Sequence, residues 1–315
     1  PLTFSIPREL VVECIPPKSA DFALLWPGDH ATYIFTGDSR MQIAEYFRMY
    51  QSAMVAMSPT KGGADAHRHT EVLASGALMY MNDLELVPKH SMTHHNKTLL
   101  LSARSLPGVE YGYLDKASFN ISAYVSLVAD ALLWTRHRLT TAASARYFLH
   151  VLGISQARYS HLRVLYLVLG SSFHCNQAGT VPMLLHGLRE ILEPENVIDY
   201  PFCESYYELD PKRPLGVKAP AGHSVMAFRW RLPRLLIDRS LSSIRDQLAR
   251  GSFDYVIYSD IHGEGPADDF AALVPREKLV AIDGSDLTPA SLMHWARSVG
   301  FMFAYNMADD CPADR

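Results

Sequence analysis

The sequence predicts an α/β protein made of two halves, each with parallel strands joined by helices. Three observations predict this class. Short apolar runs alternate with stretches of helical spacing over residues 1–113, residues 118–150 are mainly helical in pattern, and a new, entirely apolar run begins at Val164. Hydrophobic residues make up 48% of the 315 residues, which is ample for a large core. We place the break between the halves between residues 150 and 163.

The first half contains three apolar runs that are short enough to be buried strands. They are Tyr33–Phe35, Ala53–Met57 and Leu78–Met81. The stretches Asp38–Tyr50 and Asp65–Ser75, which precede the second and third of these runs, read as helices. Strands that alternate with helices in this way imply parallel pairing through helical crossovers.

Two helices are predicted between the halves. Ser118–His137 carries apolar residues close to helical spacing. Thr140 and Thr141 then offer an N-cap for a second helix over Ala142–Leu152. These two helices form the predicted bridge.

The second half repeats the alternation of strands and helices. Its first strand, Val164–Gly170, is fully buried by composition, because Val and Leu dominate it. The other predicted strands are Asn196–Asp199, Phe253–Tyr258 and Lys278–Ile282, the predicted helices are Val181–Leu192 and Ile237–Ala249, and Pro211–Pro220 is a predicted loop.

Composition excludes several classes of function. The net charge is −4, so no basic excess indicates a nucleic-acid partner. The apolar runs are far shorter than the ~20 residues of a membrane helix, so no transmembrane segment is expected. Four cysteines without a CxxC pair predict neither a zinc site, nor a redox dithiol, nor a disulfide framework. The chain begins with Pro1, so we expect a processed chain or a part of a larger protein or complex; its compartment is not assigned.

The segment after the strand Ala53–Met57 carries the strongest chemical signal. Two glycines let a ligand approach the backbone, two cations and a helix start attract an anion, and a carboxylate is left to bind ribose hydroxyls. These candidate donor-binding residues are Lys61, Gly62, Gly63, Asp65, Arg68 and Glu71. Spacing alone leaves a second interpretation open, namely a glycine turn, an N-cap aspartate and an ion pair within the helix. The segment matches neither a P-loop nor the GxGxxG pattern.

Candidate catalytic residues follow a strand of the second half. Asp260 and His262 come directly after Phe253–Tyr258, and loops after parallel strands often hold catalytic groups. Either side chain could act as a general base. The alternative is a polar loop with a turn at Gly263.

The fourteen histidines do not predict a metal site. His67 and His69 are two residues apart on a helix and face different directions, and the adjacent pair His94 and His95 has the same difficulty. No HExxH motif is present. The sequence therefore predicts no metal ligands.

The segment Lys61–Ala77 resembles the Gly-x-Asp-x-x-Arg-x-x-Glu-x-Leu-x-x-Gly block of exostosin-like glycosyltransferases, in the version found in large uncharacterised viral and protist proteins. Further similar blocks follow in the same order and cover most of the chain. They are Asn82–Pro88, Ser91–Thr93, Arg138–Tyr147, His186–Arg189, Asp199–Pro201, Phe253–Tyr258 and Asp283–Asp286.

The resemblance implies two Rossmann-like domains in a GT-B-like arrangement with the donor-type half first. Residues 1–117 would be the nucleotide-sugar-binding domain, 118–160 the helical bridge and 161–315 the second Rossmann-like domain. It implies transfer of a sugar from a nucleotide-diphosphate donor to a hydroxyl of a glycan or protein acceptor, with no obligatory cofactor. Arg68 and Glu71 would face the diphosphate and ribose, and Asp65 is the next expected contact.

Two departures from the family pattern keep an alternative open. Ala64 stands where related proteins usually carry an aromatic residue, and the donor-type half precedes the other. The alternative is a catalytically inactive glycosyltransferase-like fold that serves as a structural or complex-bound subunit.

Overall fold

The computed structural model describes residues 1–25, 40–60, 63–168, 180–203, 206–207, 232–259, 261, 270–284 and 297–305. Within these ranges the α-helices are α1 (Arg40–Ser52), α2 (His67–Ala74), α3 (Lys97–Arg104), α4 (Ile121–Arg138), α5 (Thr141–Val151), α6 (Thr180–Ile191) and α7 (Leu241–Ala249). The strands are β1 (Ala20–Phe22), β2 (Ala53–Met57), β3 (Leu78–Tyr80), β4 (Val109–Glu110), β5 (Tyr113–Leu114), β6 (Val164–Leu167), β7 (Val197–Tyr200), β8 (Tyr255–Tyr258), β9 (Leu279–Asp283) and β10 (Phe301–Ala304).

The first parallel sheet has the order β1-β2-β3. Val55 at its centre pairs with Phe22 on one side and Leu78 on the other. Strands β2 and β3 and helix α2 match the predicted elements closely. Strand β1 was not predicted, and the predicted strand Tyr33–Phe35 lies outside the described residues.

The second parallel sheet has the order β10-β9-β8-β6-β7. Strand β6 lies between β7 and β8, and all four of its residues are buried, as its apolar composition predicts. The predicted α/β class with parallel strands is therefore confirmed. The GT-B-like arrangement and the domain boundaries stay predictions.

Helices α4 and α5 occupy the predicted bridge. The Thr140 hydroxyl accepts a hydrogen bond from the Ala143 N–H over 3.3 Å, so Thr140 is the N-cap of α5. Helix α5 packs closely on α6 at Gly187. A Cβ at this position would lie 2.1 Å from the carbonyl oxygen of Thr141, so only glycine allows the two helices to approach this closely.

The N-terminal segment, residues 1–6, contacts both halves. The Leu2 N–H donates to the carbonyl of Ala304, the last residue of β10, over 2.7 Å, and Ile6 forms a parallel bridge with Thr140 at the start of α5. Between them, the Phe4 N–H donates to the Asp65 carboxylate over 3.2 Å. Leu2, Phe4 and Ile6 are all buried, so this segment belongs to the core that links the two halves.

Two further features bear on the sequence predictions. Cys203 is disulfide-bonded, which the cysteine spacing did not predict, whereas Cys14 is exposed and free. Among the described helices, none combines the length and the apolar character needed to cross a bilayer.

Candidate functional site

Polar side chains meet where β2 and β3 end. Arg68, in the first turn of α2, donates through Nε to the Ser58 hydroxyl over 3.1 Å. The Thr60 N–H donates to Asp83 Oδ2 over 2.9 Å, and the Thr60 hydroxyl donates to the same oxygen. The other oxygen, Asp83 Oδ1, is buried without a hydrogen-bond partner in the described part of the chain. This edge of the sheet, which we call the β2–β3 edge, thus combines a guanidinium with an unused acceptor.

The predicted donor-binding residues divide into three groups. Lys61 and Gly62 lie outside the described residues. Gly63 and the half-buried Arg68 lie on the loop and the helix turn that follow β2, and their role in an anion site stays a prediction. Asp65 and Glu71 are only 2% exposed, although the sequence analysis placed both beside a ligand.

Glu71 faces the core and not an open cleft. The Tyr46 hydroxyl donates to Glu71 Oε2 over 2.5 Å, while Oε1 is buried without a hydrogen-bond partner among the described residues. Burial raises the pKa of Glu71 to about 7, although the Tyr46 hydrogen bond and the Arg68 charge act in the opposite direction. The Glu71 carboxyl is thus used inside the protein, because α2 turns this face towards α1, and its contact with a ribose stays a prediction.

Asp65 lies in a buried cluster with two histidines. Its Oδ1 atom is 3.7 Å from His69 Nδ1 and 3.5 Å from His95 Nε2. Burial raises the pKa of Asp65, but polar contacts and charge from the two imidazoles outweigh it and lower the pKa to about 2, so the carboxylate is ionised. One atom from each of the three side chains lies within 4.8 Å of the others, close enough for all three to bind one metal ion.

Spacing along the sequence did not predict this cluster, because it relates only the two histidines of one pair, His67 with His69 or His94 with His95. The expected divergence is present: the His67 ring lies 4.1 Å from the Phe4 ring, and the His94 ring lies 4.3 Å from the Tyr147 ring. The second member of each pair, however, converges on Asp65. The four-residue spacing of Asp65 and His69 at a helix start was the one local signal that could have suggested a shared site.

The proposed catalytic residues Asp260 and His262 lie outside the described residues. Their described neighbours follow β8: the Ser259 hydroxyl donates to the Leu167 carbonyl, and the Ile261 N–H donates to the Ile282 carbonyl. The role of a general base for either side chain stays a prediction.

The second sheet carries a buried ionic network at Asp199. Its Oδ1 accepts hydrogen bonds from Arg189 Nη2 over 2.7 Å and from Arg239 Nε over 2.9 Å. Arg189 also donates to the Tyr207 hydroxyl over 2.7 Å and to the Val197 carbonyl over 3.0 Å. This network holds β7 against α6 and the segment before α7.

A basic cleft of about 450 Å³ lies along α5. Its cationic lining comes from Arg138 and Arg146, and its aromatic lining from Tyr147 and Tyr159. His94, the neighbour of His95 in the sequence, also lines it.

The chain matches no known family model, no curated protein and no solved structure in the comparisons made. The similarity to exostosin-like blocks therefore has no independent support. The function of the chain has to be inferred from the geometry of its sites.

Proposed function

We propose that the chain binds a nucleotide-diphosphate sugar at the β2–β3 edge and transfers the sugar to a hydroxyl of a glycan or protein acceptor. The observation that supports this proposal is that Arg68, at the start of α2, and Asp83, after β3, both contact the end of β2 and the loop after it, Arg68 through Ser58 and Asp83 through Thr60. Asp83 Oδ1 is an unused buried acceptor in the described part of the chain. Ligands of open parallel sheets bind at this edge, beyond the carboxyl ends of the strands.

The two groups suit the two parts of the donor. The Arg68 guanidinium and the positive end of the helix dipole would attract the diphosphate and would stabilise it as the leaving group without a metal. Lys61, Gly62 and Gly63 would continue this cradle along the loop. Asp83 Oδ1 would accept a hydrogen bond from a ribose hydroxyl, which is the role that the sequence analysis assigned to Glu71. Asp260 or His262 would deprotonate the acceptor.

Replacement of Arg68 tests the donor site. A charge-assisted hydrogen bond contributes roughly 1.5–3 kcal/mol, so Arg68→Ala should weaken binding of a nucleoside diphosphate about tenfold or more. Titration calorimetry with uridine and guanosine diphosphates provides the measurement. Arg104→Ala is the matched control, because Arg104 pairs with Glu85 on the exposed surface. Equal affinities of Arg68→Ala and the unaltered chain would exclude this site.

A second candidate is the inactive, glycosyltransferase-like subunit. The burial of Asp65 and Glu71 favours it, because two of the six residues predicted to hold the donor are occupied inside the protein. The same titration separates the two candidates. If the unaltered chain binds neither nucleoside diphosphate, the structural role is favoured over the enzyme.

A further inference from the structure

The cluster of Asp65, His69 and His95 is buried, and the imidazole nitrogens of its two histidines are poorly supplied with hydrogen bonds. Both ring nitrogens of His95 and Nε2 of His69 are buried and have no hydrogen-bond partner in the described part of the protein. A buried polar atom without a partner destabilises the fold, so His95 Nε2, which faces Asp65 Oδ1 over 3.5 Å, requires a physical explanation.

The spacing of the three side chains provides one. The gaps of 3.5 and 3.7 Å between Asp65 Oδ1 and the two imidazole nitrogens exceed the ~2.7–3.2 Å of a good N–H···O bond. They are close to the roughly 3.3–3.6 Å that separates two ligands of one tetrahedral ion with metal–ligand bonds of about 2.0–2.2 Å. The cluster therefore leaves the space that an ion would occupy.

We propose that Asp65, His69 and His95 bind one Zn²⁺ ion with a structural role. Two imidazoles and one carboxylate are typical ligands of zinc, whereas Ca²⁺ and Mg²⁺ prefer oxygen ligands alone. The Phe4 N–H, which donates to Asp65 Oδ2, would orient the carboxylate so that Oδ1 faces the ion. Coordination through His69 Nδ1 would replace the long 3.3 Å hydrogen bond that this atom accepts from the Ala66 N–H.

The ion would join three segments that are distant in the sequence. Asp65 and His69 belong to the loop and first turn of α2, His95 precedes α3, and Phe4 lies in the N-terminal segment that also reaches β10. Because the ligands are buried, the ion would hold these segments together and take no part in nucleotide binding. The proposal is thus independent of the proposed transferase activity.

The test uses the full chain without a polyhistidine tag. After the protein is stripped with a chelator, Zn²⁺ alone is titrated against it in competition with a chromophoric chelator. One Zn²⁺ per chain is expected. His95→Asn should weaken zinc binding at least tenfold, whereas His94→Asn, the matched control at the next position, should leave it unchanged. Failure of the unaltered chain to bind Zn²⁺, or equal weakening by both variants, would overturn the proposal.

A second variant, which gains a spectroscopic signal, keeps the proposal testable if His95→Asn does not fold. His95→Cys replaces one ligand by another, so this variant should still bind one Co²⁺ and should gain a thiolate-to-cobalt charge-transfer band. His94→Cys should bind Co²⁺ without that band. A cobalt complex of His95→Cys that lacks the band would refute coordination at this position even if His95→Asn does not fold.

Discussion

Asp65 and Asp199, one in each half, are both buried next to nitrogen-bearing side chains, but the distances to these side chains differ. Asp199 Oδ1 is contacted directly by Arg189 and Arg239, over 2.7 and 2.9 Å. Asp65 Oδ1 also faces two nitrogen-bearing side chains, His69 and His95, but the gaps are 3.7 and 3.5 Å. In both cases the carboxylate is fully enclosed, so solvent does not explain the difference.

The difference lies in the chemistry of the partners. A guanidinium is always charged and presents a fork of donors, so two arginines can close around one carboxylate and still reach Tyr207 and Val197. An imidazole offers only one in-plane position per nitrogen, and neither His69 nor His95 comes closer to Asp65 Oδ1 than 3.5 Å. The charge of Asp199 is therefore balanced by two cations of the protein, although its Oδ2 has no hydrogen-bond partner among the described residues. At Asp65 the proposed ion would supply the cation. The predictions that follow test this contrast.

The largest effect is expected from Asp199→Asn. Removal of the carboxylate leaves two buried guanidiniums without their anion, and breaking a buried pair in this way costs about 3–5 kcal/mol of the free energy of unfolding. Urea denaturation measures this loss. Asp21→Asn is the control, because it breaks only the exposed Asp21–Lys116 pair and should leave the midpoint unchanged. A similar small effect of both variants would show that the network is not closed as described.

Glu71 extends the comparison to a buried carboxyl whose direct partner is a neutral hydroxyl. Burial raises its pKa from 4.5 to about 7, so the folded state binds this proton more tightly than the unfolded state does. The resulting stabilisation is complete below pH 4.5 and is lost as the pH rises towards and beyond 7. Glu71→Gln keeps an acceptor for Tyr46 without the charge. Relative to this variant, the unaltered chain should lose on the order of 3 kcal/mol across that range.

Denaturation curves of the unaltered chain and Glu71→Gln at several pH values provide the measurement. The difference between their unfolding free energies should change mainly between pH 4.5 and 7. Parallel pH dependence of the two proteins would contradict the raised pKa of Glu71.

The smallest effect in this series is the stabilisation by zinc. At a free Zn²⁺ concentration one hundred times the dissociation constant, the gain in unfolding free energy is about 2.7 kcal/mol. Asp65→Asn should lose this gain. Asp199→Asn should show the same gain, although its unfolding free energy without zinc is lower, because the Asp199 network does not depend on an ion. Thermal unfolding with zinc and then with excess chelator measures both. If zinc stabilised Asp65→Asn and Asp199→Asn equally, the proposed difference between the two clusters would be wrong.

Local sequence patterns were sufficient for much of the backbone. The apolar runs at β2, β3, β6, β8 and β9 and the N-cap at Thr140 depend on neighbouring residues, and the structure confirms them. The parallel pairing also followed from the alternation of strands and helices. Strand β1 was missed, because Ala20–Phe22 is too short and too polar at Asp21 to produce an apolar run.

The sequence by itself determined the α/β class, most of the helices and strands, and the position of Arg68 at the start of a helix after a strand. Only the tertiary structure decided which side chains meet. It brought His69 to His95 and Asp199 to Arg239, turned Glu71 towards Tyr46, and laid residues 1–6 across both halves. Secondary structure follows from interactions between residues close in the chain, so local patterns reveal it. Contacts between distant segments arise when several apolar faces are buried together, and periodicity specifies which face is buried but not what that face will meet.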